Sequence, residues 1–307
     1  MPGNPPKRYP SVIMAPCVIP WSPDWSFDET LFRIQVRLLR DHLTRHLYLF
    51  GTAGEGYAVN EAQFDRIVRT FREEMNGPEY HPMIGAISLS LSTIIDRITR
   101  CRELGFRAFQ ISLPSWGALT DKEVDTFFRE VCGRFPDCRF LHYNLTRAKR
   151  VLVGQDYARL AAAHPNLVAV KYGGGPDRDV RVDMLRKAPV LQFFFGERGF
   201  VDLRDEFECG LLISLAVPSF TMAKTLFAAR GDELRRLGAE TDQIHDALVA
   251  AVGEAGHIDG AYDKMLIKAH IPQFPLRLLP PYSYADDSRL QVFLDRLPHR
   301  WRPKPLS

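Results

Sequence analysis

The stretch LVAVKY, residues 167–172, is short, apolar and rich in β-branched side chains, and three glycines at residues 173–175 end it. This pattern predicts a buried strand that leads into a loop, with Lys171 close to its end. Because burial disfavours a charged ammonium, we expect a lowered pKa for Lys171. A neutral amine attacks ketones and aldehydes and forms a Schiff base. The alternative is a lysine whose ammonium reaches solvent from the strand end.

A second strand of the same kind is predicted by RFLHYN at residues 139–144. Its Tyr143 precedes Lys171 by 28 residues, which is about the length of one βα unit. The two side chains are therefore expected at matching ends of adjacent parallel strands, where a phenol could carry the protons of imine chemistry. The alternative is a core tyrosine with a satisfied hydroxyl. His142 alternates to the other face of the strand and is interpreted as structural.

A third strand runs into a glycine-rich turn in LYLFGTAGEG, residues 47–56, and a helix is predicted to start near Asn60. Backbone N–H groups in such a turn can bind an anion, and a carboxylate suits them. The alternative is a turn whose glycines only allow the chain to bend.

Eight strand-like stretches alternate with helical patterns over the first two thirds of the chain. The strands are predicted near residues 12–18, 46–51, 82–87, 107–113, 138–143, 167–172, 190–195 and 211–216. The clearest helices between them are predicted at Thr30–Thr44, Glu61–Met75, Ser92–Leu104 and Asp121–Cys132. Ser92 is interpreted as a helix cap, and Thr120 with Glu123 as a capping box.

This alternation predicts an α/β protein with a (β/α)8 TIM barrel in residues 1–221. An open, doubly wound sheet is the alternative, but no GxGxxG motif follows the first strand. The pattern from residue 222 to residue 307 is helical and predicts a C-terminal extension packed on the barrel. A separate small domain is the alternative, although no Gly- or Ser-rich linker divides it off.

Taken together, these motifs resemble the dihydrodipicolinate synthase / N-acetylneuraminate lyase family, the pyruvate-type class I aldolases. The family's glycine-rich turn is matched by Gly51–Glu55, its tyrosine-asparagine pair by Tyr143-Asn144, and its Schiff-base lysine by Lys171. The likeness extends from an opening strand near Val12 to the segment PLRLLPP near the C-terminus. The resemblance implies a barrel, imine chemistry and a homo-oligomer, either a dimer or a tetramer built from dimers.

The resemblance also implies roles for individual residues. Lys171 and Tyr143 would be catalytic. The substrate-binding residues would be Thr52, Ala53, Gly54, Gly196, Ser214 and Trp116. For Ser214 a structural serine bonded to backbone is the alternative, and Glu197 could be a second general base or a surface charge.

Several positions depart from the family pattern. Ala53 replaces a threonine that helps to hold the substrate carboxylate, and Ala148 lies where the family has an arginine. Trp116, or alternatively Ser115, occupies the place of a tyrosine that reaches a neighbouring subunit's site, and Trp has no acidic hydroxyl. Tyr172 follows the lysine where a glutamate is usual. These changes predict a divergent member that does not catalyse the lysine-pathway synthase step itself.

The predicted function is a Schiff-base-forming lyase or aldolase that acts on pyruvate or on a 2-oxo acid that releases pyruvate, with an aldehyde as the possible second partner. A sugar-acid dehydratase of the same fold is the nearest alternative. The alternative from another class is an inactive barrel that binds a 2-oxo acid.

Composition narrows the other possibilities. The chain has 307 residues, of which 46% are hydrophobic and 25% charged, and this balance is typical of a globular protein with a full core. A net charge of +3 without a basic stripe argues against nucleic acid. We predict no membrane span and no signal peptide, hence a cytoplasmic protein. Five cysteines without a CxxC pair and histidines without metal-ligand spacing predict neither a disulfide framework nor a metal, and no cofactor is expected.

Overall fold

A computed structural model describes residues 5–253 and 257–304 of the chain. Eight parallel strands close a barrel in chain order, which confirms the predicted (β/α)8 TIM barrel. The strands are β1 (Ile13–Cys17), β2 (Leu47–Leu49), β3 (Met83–Gly85), β4 (Ala108–Ile111), β5 (Arg139–Leu145), β6 (Leu167–Gly173), β7 (Gln192–Phe195) and β8 (Gly210–Leu212).

Helices follow the strands, and further helices follow β8, as predicted. They are α1 (Glu29–His42), α2 (Glu61–Glu74), α3 (Leu91–Glu103), α4 (Asp121–Cys132), α5 (Gly154–Ala163), α6 (Arg178–Lys187), α7 (Glu197–Leu203), α8 (Phe220–Ala228), α9 (Gly231–Val252), α10 (Asp259–Lys268) and α11 (Arg289–Arg296). The predicted boundary between a barrel at residues 1–221 and an extension at 222–307 stays a prediction.

Helix caps account for several of these boundaries. The capping box at the start of α4 is confirmed, because Thr120 accepts a hydrogen bond from the backbone of Glu123 and the Glu123 side chain accepts from the backbone of Thr120. The expected cap of α3 was wrong by two residues. Ser90, not Ser92, precedes the helix and accepts from the backbone N–H of Thr93. Two serines only two residues apart offer the same capping chemistry, so sequence alone does not choose between them.

The described residues form two compact units. The first draws on Met1–Val12 and Met83–Leu212, and it contains β3–β8 with α3–α7. The second draws on Ile13–Pro82 and Ile213–Ser307, and it contains β1, β2, α1, α2 and α8–α11.

In the first unit, β5 and β6 share the longest register, and Tyr143 lies opposite Lys171. His142 faces the helical layer, since its Nδ1 lies 2.8 Å from the hydroxyl of Tyr157 on α5. Successive residues of a strand alternate between its two faces, so Tyr143 and its register partner face the barrel interior. Burial lowers the pKa of His142 to about 3, which keeps the imidazole neutral. The interpretation of His142 as structural agrees with this contact.

In the second unit, a carboxylate on α2 joins the helices α1 and α2. Glu74 is buried and accepts hydrogen bonds from Arg33 at 3.0 Å and from two nitrogens of Arg37 at 2.8 Å. Burial works against ionisation of Glu74, but the hydrogen bonds from Arg37 and Arg33 outweigh it, and the pKa of Glu74 is lowered.

Replacement of Glu74 by Gln is expected to reduce the free energy of unfolding by about 1–2 kcal/mol at neutral pH, because the arginines are partly solvated. The folded-state pKa lies below the ordinary value of 4.5. The contribution is therefore complete above that value and is lost as the pH falls through the folded-state pKa. Urea unfolding of both proteins at neutral pH and near pH ~3.5 measures the difference. The neighbouring and exposed Glu73 provides the control Glu73→Gln, with an expected loss below about 0.5 kcal/mol. A difference for Glu74→Gln that does not shrink in acid would contradict the assignment.

All five cysteines are buried as free thiols. Burial raises the pKa of Cys132 to about 12 and that of Cys138 to about 11. Among the helices of residues 5–253 and 257–304, none combines the length and the apolar character needed to cross a membrane.

Candidate active site

Lys171 and Tyr143 meet at the C-terminal ends of β6 and β5. The Lys171 Nζ lies 3.8 Å from the centroid of the Tyr143 ring. Both residues are buried, with exposed fractions of 7% and 4%. The C-terminal strand ends are where (β/α)8 barrels build their active sites. The predicted neighbourhood of these two side chains is therefore present in the structure, and their catalytic roles remain predictions.

The Tyr143 ring lies directly against the Lys171 amine. The face of an aromatic ring attracts a cation, and an ammonium and a protonated imine are both cations. The Tyr143 ring would thus stabilise the protonated imine that follows attack, in addition to any proton transfer by its hydroxyl.

The strand ends beside Lys171 are shaped by glycines and aromatic rings. A Cβ atom at Gly174 would lie 2.6 Å from the ring of Tyr172, so a side chain at this position would displace that ring. The Tyr172 ring packs edge-on against Phe195, with the centroids 6.3 Å apart. Burial raises the pKa of Tyr172. Gly196 follows β7, and a Cβ atom there would meet no atom within 4 Å.

Because there is open space around Gly196, its predicted role in substrate binding can be tested by Gly196→Ala. Its φ of −65° suits alanine, so Gly196→Ala is expected to change the free energy of unfolding by less than about 0.5 kcal/mol. If the backbone of Gly196 contacts the substrate, the added methyl group should raise the half-saturating pyruvate concentration roughly tenfold. Thermal unfolding and a pyruvate titration check the two parts. Unchanged saturation would remove Gly196 from the site.

Three further residues that the sequence singled out in this unit have clear surroundings. The side chain of Asn144 donates to the carbonyl of Leu152 at 2.8 Å and accepts from its N–H at 3.0 Å, so it closes the loop after β5. Trp116 is 84% exposed in the single chain, and its carbonyl accepts a hydrogen bond from Lys149 at 2.9 Å. Glu197 is buried, so of its two alternatives the surface charge was wrong, and the second general base stays a prediction.

In the second unit, the glycine-rich turn after β2 presents a row of backbone donors. Thr52, Ala53 and Gly54 are buried. Within the part of the chain that the structure describes, no hydrogen bond engages the N–H groups of these three residues. Buried N–H groups normally have a partner. The turn therefore has donors that fit the predicted carboxylate site.

The same turn is anchored by a lysine that the sequence did not reveal. Lys264 on α10 donates to Glu55 at 2.6 Å, and both side chains are fully buried. Ser214 also bonds to α10, because its hydroxyl donates to Asp263 at 2.8 Å. Ser214 is thus bonded to a carboxylate rather than only to backbone. A group of three potential metal ligands is absent from residues 5–253 and 257–304.

Comparison with known proteins places this geometry in a family. The sequence model of the dihydrodipicolinate synthetase family matches residues 9–195, which is more than half of the chain. The chain belongs to this family. The match includes Lys171, Tyr143 and the Thr52–Gly54 turn, and the predicted family resemblance is confirmed.

Two solved structures of the synthetase-family fold resemble the chain over almost its full length. N-acetylneuraminate lyase from Proteus mirabilis has a TM-score of 0.80 and 16% identity, and the match covers 94% of this chain and 97% of that one. Dihydrodipicolinate synthase from Cyanidioschyzon merolae, with lysine bound, has a TM-score of 0.82 and 18% identity, with 94% and 97% covered. At these identities the likeness shows the fold.

A curated relative is more similar in sequence over a shorter stretch. A probable 5-dehydro-4-deoxyglucarate dehydratase from Methylobacterium radiotolerans is 27% identical over 152 residues, which are 50% of this chain and 48% of the relative. The chain spans about half the length of the curated relatives it matches. Lyases and dehydratases therefore occur together among the proteins that this family member resembles.

Proposed function

We propose that this chain is a lyase that forms an imine between the Nζ of Lys171 and the ketone of a 2-oxo acid such as pyruvate. One observation carries the proposal: a buried lysine amine lies 3.8 Å from a tyrosine ring centroid at neighbouring C-terminal strand ends of a barrel. Membership of the dihydrodipicolinate synthetase family supports it.

The proposed reaction begins when the lone pair of the Lys171 amine attacks the ketone carbon. The carbinolamine then loses water, for which the Tyr143 hydroxyl would supply a proton, and a protonated imine results. In the cleavage direction, the bond breaks between the carbon next to the imine carbon and the hydroxyl-bearing carbon beyond it. The imine accepts the electron pair of this bond, the hydroxyl gives up its proton to a base, the outer fragment leaves as an aldehyde, and an enamine remains. Protonation of the enamine and hydrolysis of the imine release the product and restore the amine.

The chain's own departures from the family pattern bear on the substrate. Ala53 removes one hydroxyl from the carboxylate turn, and Ala148 stands at the family's arginine position, where Arg147 and Lys149 flank it. Trp116 adds an aromatic surface instead of a phenol. These changes favour a partner aldehyde that is larger or less acidic than that of the lysine-pathway synthase. The active protein would be a homo-oligomer of two or four chains.

A second candidate is a dehydratase that acts on a sugar acid with a ketone. The curated relatives favour it, because both are named probable 5-dehydro-4-deoxyglucarate dehydratases. The same imine would serve: a proton is removed from the carbon next to the imine carbon, hydroxide leaves from the following carbon, and together they depart as water while a C=C bond forms.

Borohydride trapping tests the proposal. The protein is incubated with pyruvate, reduced, and examined by intact and peptide mass spectrometry. We expect one reduced pyruvyl adduct, on Lys171. Lys122, an exposed lysine on α4, supplies the matched control: Lys122→Ala should retain the adduct. An adduct only with a sugar-derived 2-oxo acid would select the dehydratase. Absence of any adduct on Lys171 with both compounds would overturn imine chemistry and favour a binding protein.

A further inference from the structure

A buried ion pair lies behind the glycine-rich turn of the second unit. Lys264 and Glu55 are both without solvent exposure, and Lys264 also donates to the carbonyl of Arg277. Burial strips both charges of water, and a buried ion pair is often no more stable than apolar residues of similar volume. Stability alone therefore does not explain why these two residues form a buried ion pair.

The Glu55 carboxylate collects donors from three segments of the chain. Besides Lys264, it accepts from the indole Nε1 of Trp21 at 2.9 Å and from the backbone N–H of Leu279 at 2.8 Å. The Trp21 carbonyl in turn accepts from Arg277 at 3.2 Å. Charge-assisted hydrogen bonds are short and directional. They fix the position of Glu55, the residue that directly follows Gly54.

The backbone of this turn needs such an anchor. Phe50 and Glu55 flank the turn, and both adopt left-handed conformations, with φ of 62° and 55°. Residues with a Cβ atom rarely adopt such conformations, and the surrounding structure must hold them in place. The Glu55 side chain supplies that restraint at one end of the turn.

Helix α10 also orients a peptide inside the turn. A Cβ atom at Gly260 would lie 3.1 Å from the carbonyl oxygen of Ala53, so the helix backbone packs closely against this carbonyl. In a trans peptide the N–H points opposite to the C=O. The N–H of Gly54 therefore points away from α10, and within the described residues no hydrogen bond engages it.

We infer that Glu55 and Lys264 are positioning residues, which hold the N–H groups of Thr52–Gly54 in the arrangement that binds a substrate carboxylate. This inference rests on the proposed function, because it assigns the carboxylate of the 2-oxo acid to the turn. It gives α10 a role in substrate recognition. The same helix also contacts a second predicted substrate-binding residue, because Asp263, next to Lys264, accepts a hydrogen bond from Ser214.

A comparison of a charged and an uncharged substrate distinguishes loss of the carboxylate site from a general loss of structure. Half-saturating concentrations for borohydride trapping on Lys171 are measured with pyruvate and with pyruvamide, which lacks the negative charge. In Lys264→Met we expect the value for pyruvate to rise about 10- to 100-fold, as for loss of a charge-assisted hydrogen bond, and the value for pyruvamide to change less than about threefold. Lys268→Met is the matched control, since Lys268 is a buried lysine of the same helix that donates to Pro272 and Phe274. It should leave the ratio unchanged.

Trp21→Phe tests the inference again in a variant that keeps the ion pair and most of the ring volume. Loss of one donor to Glu55 should raise the value for pyruvate about three- to tenfold. It decides the matter if Lys264→Met does not fold. The inference is overturned if folded Lys264→Met keeps the preference for pyruvate over pyruvamide that the unmodified protein shows. If Lys264→Met does not fold, the same result in Trp21→Phe overturns it. Either result would leave the imine mechanism intact. Absence of a Lys171 adduct in the unmodified protein would overturn the proposed function and this inference with it.

Discussion

Replacement of Lys171 by alanine is expected to reduce turnover of any 2-oxo acid substrate by roughly 10⁴-fold or more, because removal of a covalent nucleophile removes the whole imine pathway. The substitution shortens one buried side chain that lies against the Tyr143 ring and leaves the strand backbone unchanged, so the fold is expected to survive. Turnover is measured in a panel of aldol, retro-aldol and dehydration assays, each with circular dichroism as a check on folding.

The control for Lys171→Ala is Lys122→Ala, which removes an exposed lysine and should retain full activity. A second check uses the electrophile itself: borohydride with pyruvate should inactivate the unmodified protein and should leave Lys171→Ala without a label. Activity that persists in folded Lys171→Ala would show that the imine mechanism is wrong even though the barrel is present.

Replacement of Tyr143 by phenylalanine is expected to lower kcat by about 10²- to 10⁴-fold, which is the usual contribution of a positioned general acid or base. The substitution removes only the hydroxyl and keeps the ring whose centroid lies 3.8 Å from Lys171 Nζ. Ground-state binding should therefore change little, and the loss should fall on kcat and not on KM.

Tyr143→Leu separates the two parts of this side chain, because it removes the ring as well as the hydroxyl. If the ring face stabilises the protonated imine, Tyr143→Leu should form the trapped adduct more slowly than Tyr143→Phe. Equal losses in kcat and in binding for Tyr143→Phe would reduce Tyr143 to a binding residue.

Local patterns explain why so much of the barrel was predictable. The strand around Lys171 is an apolar run ended by glycines, and α4 begins at a capping box, so each signal lies within ten residues of the feature that it predicts. The spacing of Tyr143 and Lys171 equals the length of one βα unit, which predicts that they lie on adjacent strands. The register of β5 with β6 confirms that they are opposite each other.

The anchor of the turn was not predictable in this way. Glu55 and Lys264 are separated by more than 200 residues, and neither belongs to a periodic pattern that shows its partner. A lysine in α10 looks like any other helix lysine until the fold brings a carboxylate to it. Only tertiary structure distinguishes Lys264 from Lys122, which is exposed on α4.

The five buried thiols have a consequence for a protein proposed to handle carbonyl compounds. Aldehydes and 2-oxo acids are electrophiles, and thiolates are among the groups that they modify most readily. Because burial holds the pKa of Cys132 near 12 and that of Cys138 near 11, little thiolate forms at neutral pH. Cys132 and Cys138 are thus expected to react slowly with a carbonyl substrate, which leaves Lys171 as the proposed nucleophile.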